Sequence, residues 1–198
     1  MKRLFILLIV LLLAGGAAWW YRDSIPFLDR GERVEVSPEA AADAEAKLAR
    51  MRTDGQPIRL SSVELSSLLR YRGGEWAPAE LREPQVQIKG DTLMVSAVIP
   101  TDRIPSHPDL DRVRSLLPDS ARVEVAGSVR SLGAGRAAME VRQVEFAGIP
   151  IPERYYPPML ERIGRQDEPD LTSTEMGLKL PPGVSEVRVE NGYLLLIP

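Results

Sequence analysis

Residues 121–146 read ARVEVAGSVRSLGAGRAAMEVRQVEF, and the fold turns on how they pair. Val123, Val125, Gly127 and Val129 alternate with charged or polar neighbours. Beyond Gly133-Ala134-Gly135 the same period resumes in Ala137, Met139, Val141 and Val144 or Phe146. Alternation with a period of two on both sides of a glycine-rich break specifies one antiparallel hairpin. Its arms run about eleven residues each, beyond the usual five or six, and strands that long accumulate twist, so the hairpin is expected to curl.

The same alternation continues outward. Val86 and Ile88, then Leu93, Val95, Ala97 and Ile99, alternate with Gln85, Gln87, Lys89, Met94 and Ser96 around Gly90-Asp91, a second antiparallel pair. Near the end of the chain, Asn191-Gly192 separates strands over 184–190 and 193–197, since Asn-Gly adopts the two positive-φ positions of a tight turn. Helices interleave with these strands. Ser37-Pro38 supplies an N-cap and a first-turn proline for an alanine-rich helix over 39–51. Ser61-Ser62-Val63-Glu64 is a capping box, with Leu60 and Leu65 at staple spacing and Gly73-Gly74 as the stop. A short helix fits 109–117. An aromatic helix over 153–163 follows the extended crossing Gly148-Ile149-Pro150-Ile151-Pro152.

Residues 4–21, LFILLIVLLLAGGAAWWY, carry no charge and follow Lys2 and Arg3. As a helix the run would extend roughly 27 Å, close to the ~30 Å hydrocarbon core. Lys2 and Arg3 favour a cytoplasmic N-terminus and an exported body. Cleavage after Ala18 is the alternative. It would expose Trp19, Trp20 and Tyr21, which in an uncleaved anchor form an interfacial aromatic belt, and the anchor is preferred. The expected fold class is thus α+β, an N-terminal transmembrane helix followed by a long, curled antiparallel β-sheet with helices packed on one face. The expected divisions are a signal anchor at 1–21, a juxtamembrane linker at 22–36 and an exported domain at 37–198. The location that follows is the cytoplasmic membrane, single-pass, with the C-terminal domain extracytoplasmic.

Composition narrows the chemistry. With 25 Lys+Arg against 28 Asp+Glu the net charge is −3, and beyond residue 21 it falls to −5, so nucleic acid is not an expected partner. With no cysteine and one histidine, thiol nucleophiles, thiolate metal sites and multi-histidine metal sites are excluded within one chain. His107 with Asp109 and Asp111 resembles a metal or acid–base cluster, but Asp109 as an N-cap and Asp111 in a first turn explain it more simply. Ser61, Ser62, Ser66 and Ser67 lack a G-x-S-x-G elbow. Capping accounts for the first pair, and helix surface is expected for the second. Glu80, Glu83, Glu140 and Glu145 would serve glycoside hydrolysis only if the fold paired two of them. No enzyme activity, metal or cofactor is expected.

Gly148-Ile149-Pro150-Ile151-Pro152 after a long hairpin, an aromatic helix, then Leu180-Pro181-Pro182-Gly183-Val184, Val187, Val189, Asn191-Gly192 and Leu194 form a connected pattern. Over the C-terminal half, this pattern resembles the LmeA-like phospholipid-binding proteins of bacterial envelopes and their YpmS-like relatives. The segment 37–82 shows no such match. The resemblance implies an exported protein with a tubular, TULIP-like lipid-binding fold, in which a curled sheet wraps a helix around an apolar groove. On that reading Met139, Val141, Phe146, Ile149, Ile151, Tyr155, Tyr156, Met159, Leu160 and Ile163 line a groove for the acyl chains of a phospholipid or other lipid, and residues 4–21 hold the protein at the membrane. In the alternative, these side chains close into a dry core. The protein is then a structural or interaction module, offering an envelope partner a sheet edge or the helix over 39–51.

Overall fold

A computed structural model describes residues 34–73, 82–101, 119–162 and 170–198 of the chain. The first helix, α1 (Pro38–Asp54), starts where Ser37 Oγ accepts the Ala40 N–H at 3.1 Å and stops at Gly55, whose φ of 64° closes a left-handed cap on Met51 O. After the short strand β1 (Ile58–Leu60), α2 (Ser62–Arg72) opens with the capping box complete. Ser61 N donates to Glu64 Oε2 at 2.9 Å, and Glu64 N donates to Ser61 Oγ at 3.3 Å. Glu64 also meets Lys47 Nζ at 2.6 Å, tying the start of α2 to the face of α1.

The strands that follow are β2 (Arg82–Lys89), β3 (Thr92–Pro100), β4 (Ser120–Gly133), β5 (Arg136–Phe146) and β6 (Ile149–Pro150). A 3₁₀ turn (Glu153–Tyr155) leads into α3 (Tyr156–Arg162), and β7 (Glu175–Lys179), β8 (Glu186–Glu190) and β9 (Tyr193–Ile197) close the chain. Two antiparallel sheets result. One has the order β2-β3-β4-β5-β6 with β7 also on β5, and the other has the order β1-β9-β8. The Asn191-Gly192 turn, with φ of 51° and 79°, joins β8 to β9 as its sequence requires.

Register places Leu93, Val95, Ala97 and Ile99 opposite Gly127, Val125, Val123 and Ala121, and these opposite Val141, Val144 and Phe146 along β5. This face carries two apolar clusters. In the first, Ala44, Leu48 and Met51 of α1 and Leu68 of α2 pack on Leu60, Ala137, Val187 and Leu196. In the second, Tyr156 and Leu160 of α3 pack on Ala121, Val141, Val144, Phe146 and Ile151.

The expected fold is corrected on two points. Among the described residues no helix is long and apolar enough to cross a membrane, and the run 4–21 lies outside them. Nor is any sheet strongly curled. The long hairpin forms, but β5 is flanked on its far side by two short strands, β6 at one end and β7 at the other. An isolated two-stranded ribbon twists most, and here the hairpin is held within a wider sheet, with β3 on one side and β6 and β7 on the other. Register shifts between Ala126 and Gly127 and between Ser131 and Gly133 mark irregularities in the ladder. Gly127 belongs to this irregularity, for a Cβ there would run into the backbone carbonyl of Glu140.

The serines close the exposed edges. Ser66 is fully buried, donating its hydroxyl to Val86 O at 3.0 Å and accepting Val86 N–H at 2.8 Å, while Ser62 Oγ accepts Ile88 N–H at 3.0 Å. One turn of α2 thus satisfies the free edge of β2. Ser131 does the same between the sheets, donating to Val187 O at 3.0 Å and accepting Val187 N–H at 2.7 Å. Ser67 is equally buried and accepts Ser37 N–H at 3.1 Å. The expectation that Ser66 and Ser67 lie on the helix surface fails, because backbone groups on neighbouring elements need hydroxyl partners.

Candidate functional site

Of the ten residues expected to line a groove, the structure gathers Val141, Phe146, Ile151, Tyr156 and Leu160 in the second cluster, with Tyr155 and Met159 packed against it. Tyr156 is held by its hydroxyl, which accepts Val144 N–H at 3.1 Å beside the register shift. Met139 is buried between Val129 and Met176, its partners across the ladder. Ile149 stands opposite Phe146 in the ladder but is 48% exposed and belongs to neither cluster. Ile163 lies outside the described residues, as do His107, Asp109, Asp111 and Glu80.

The open apolar space lies beside the first cluster instead. A cavity of about 140 Å³ is bounded by Leu65 and Leu68 of α2, Val129 of β4, Leu178 and Leu180 around the end of β7, and Leu194 of β9. Leu48, Leu60, Leu93, Pro181, Val187 and Leu196 complete a wall with no polar side chain. Of these, Leu48, Leu60, Leu68, Val187 and Leu196 are buried, while Leu65, Val129, Leu178, Leu180 and Leu194 are partly buried. The space is half-open rather than enclosed, and its wholly apolar wall suits an apolar guest.

None of the ten expected residues lines this cavity. Its leucines carried readable signals. Leu60 and Leu65 form the staple of α2, and Leu180-Pro181 and Leu194 belong to the C-terminal pattern. What the sequence did not give is their convergence, which requires α2, β7 and β9 to meet.

A second, shallower cleft of about 570 Å³ runs along the C-terminal half of α1 and β1, lined by Lys47, Arg50, Met51, Asp54, Ile58 and Arg59 among others. Lys47 is engaged there by Glu64 and by Arg59 O at 3.1 Å.

The charged groups that the sequence offered for catalysis separate. Glu83 meets Arg122 at 3.5 Å, and Glu140 meets Arg142 at 3.3 Å and Ser128 Oγ at 3.1 Å. Glu175 is buried and bonded to Arg130 at 2.7 Å and to Thr172 N at 2.8 Å; Arg130, then Thr172, pull its carboxyl down to about 2. Glu145 is also buried, and burial, followed by the charge of Glu124, pushes its carboxyl up to about 7. No protein-family model, curated protein or solved structure matches this chain.

Proposed function

We propose that this protein binds an acyl chain or similarly apolar lipid segment in the cavity between α2 and the two sheets. Its body would lie outside the cytoplasmic membrane, kept beside it by residues 4–21. The observation that supports the reading is the half-open space of about 140 Å³ walled mostly by leucines, with no polar side chain in its lining. That volume lies below the ~300–1,000 Å³ of pockets that enclose a whole drug-sized ligand. The cavity therefore takes the end of a chain, and the rest trails through the mouth. Holding a chain this way needs no nucleophile, metal or cofactor. The groove first expected around Tyr155, Tyr156 and Met159 is a neighbouring cluster on the same sheet face.

The test is photo-crosslinking of the full chain in phospholipid nanodiscs with a fatty acid carrying a terminal diazirine, followed by peptide mapping. Adducts should fall on residues 65–68, 178–181 and 194–196, and Val129→Phe should reduce them severalfold by filling the cavity. Adducts confined to 155–159 would return the site to the second cluster. An absence of adducts at either place would refute lipid binding and favour an interaction module, for which exposed Tyr193 on the small sheet offers a contact.

A further inference from the structure

What a guest meets in the apolar cavity depends on where the backbone of its wall is committed. Among the described residues that line it, no polar atom of backbone or side chain is exposed to the space. Ladder pairing and helix account for this. Leu194 of β9 pairs with Leu60 on one side and Val189 on the other, Val129 pairs with Met139, and Leu178 pairs with Ala137. Leu65 and Leu68 stand within α2, where Ser61 O accepts Leu65 N–H at 3.0 Å. Ser131 reaches the wall residue Val187, but its one proton is already given to Val187 O, and it does not line the space.

Size sets a second limit. A methylene fills about as much space as a water molecule in the liquid, ~30 Å³, so about 140 Å³ takes about five carbons. An acyl lipid offers two ends, a methyl at one and oxygens at the other. Each methylene moved out of water into this wall gains roughly fourfold in affinity. An oxygen brought there finds neither donor nor acceptor, and an unpaired polar group loses about fivefold or more.

We propose that the cavity selects the methyl end of an acyl chain, inserted end-on for about five carbons, and rejects a chain whose far end carries a hydroxyl or carboxylate. This rests on the lipid-binding reading above and adds the direction of the chain and the chemistry of its terminus. Val129, which borders the space from β4, is the position through which the selectivity is tuned.

The experiment uses the full chain in phospholipid nanodiscs with three photoactivatable fatty acids of one length, carrying the diazirine beside the terminal methyl, at mid-chain or beside the carboxyl. Adducts on residues 65–68, 129, 178–180 and 194–196 should come from the methyl-end probe and fall severalfold with the mid-chain and carboxyl-end probes. Against the methyl-end probe, an unlabelled fatty acid should compete at least about fivefold better than its terminally hydroxylated counterpart at matched bilayer concentration. Val129→Thr sets a hydroxyl in the wall with little change of shape, and should narrow that difference while circular dichroism stays the same. Equal labelling from all three positions, labelling led by the carboxyl-end probe, or equal competition by the two acids would overturn selection of the methyl end and leave lipid binding standing. A difference that Val129→Thr leaves untouched would also overturn it, by placing the discrimination outside this cavity. No labelling of these residues by any probe would refute lipid binding here, and the selection with it.

Discussion

Replacing Ser66 by alanine removes one hydroxyl that serves two backbone groups, and the cost can be worked from its surroundings. Ser66 is 0% and Val86 4% exposed, so water cannot take over the bonds to Val86 N and Val86 O. A buried polar group left unpaired costs about 1–3 kcal/mol, and two are orphaned here. Alanine returns about 0.5 kcal/mol of helix propensity in the middle of α2. The net loss should be about 2–5 kcal/mol, a large part of the stability of a typical domain. Ser62→Ala frees only the half-buried Ile88 N–H and should cost about 1 kcal/mol. The assay is equilibrium urea unfolding of the full chain in neutral detergent, followed by far-ultraviolet circular dichroism, with the midpoint compared at constant slope. A Ser66→Ala variant within 0.5 kcal/mol of the parent, or no worse than Ser62→Ala, would refute edge capping by α2.

Gly127→Ala should destabilise by about 3 kcal/mol, at the upper end for overpacking, because the clashing atom is the Glu140 carbonyl; unfolding midpoints check it. Glu175 has a depressed carboxyl, so its pairing stabilises fully above the ordinary value of 4.5 and is lost as pH falls from 4.5 towards 2. Because Arg130 is half-exposed, the loss should be about 1–2 kcal/mol, and Glu175→Gln should flatten this acid limb in a pH series of melts. Glu145 has the opposite sign. Its raised carboxyl makes stability fall by up to about 3 kcal/mol as pH rises from 4.5 to about 7, and Glu145→Gln should remove the slope.

Local chemistry was readable wherever a few adjacent residues decide it. Ser37-Pro38, the Ser61 to Glu64 box, Asn191-Gly192 and the alternation over 121–146 each encode a cap, a turn or a strand within their own neighbourhood, and each appears in the structure. The sequence by itself also carries the charge balance, the absence of cysteine and the uncharged run 4–21, since these are properties of composition. Tertiary structure alone decided which apolar faces fill and which leave space. Val141 and Phe146 repeat with the same period as Val129, yet the first two close against α3 while Val129 borders the cavity. Periodicity reports which way a side chain points, whereas a void depends on how the volumes of α2, β7 and β9 add up where they meet. The roles of Ser66, Ser131 and Glu145 were hidden for the same reason. A hydroxyl or a carboxyl acquires a partner, or is left without one, only when a strand distant in sequence is laid beside it.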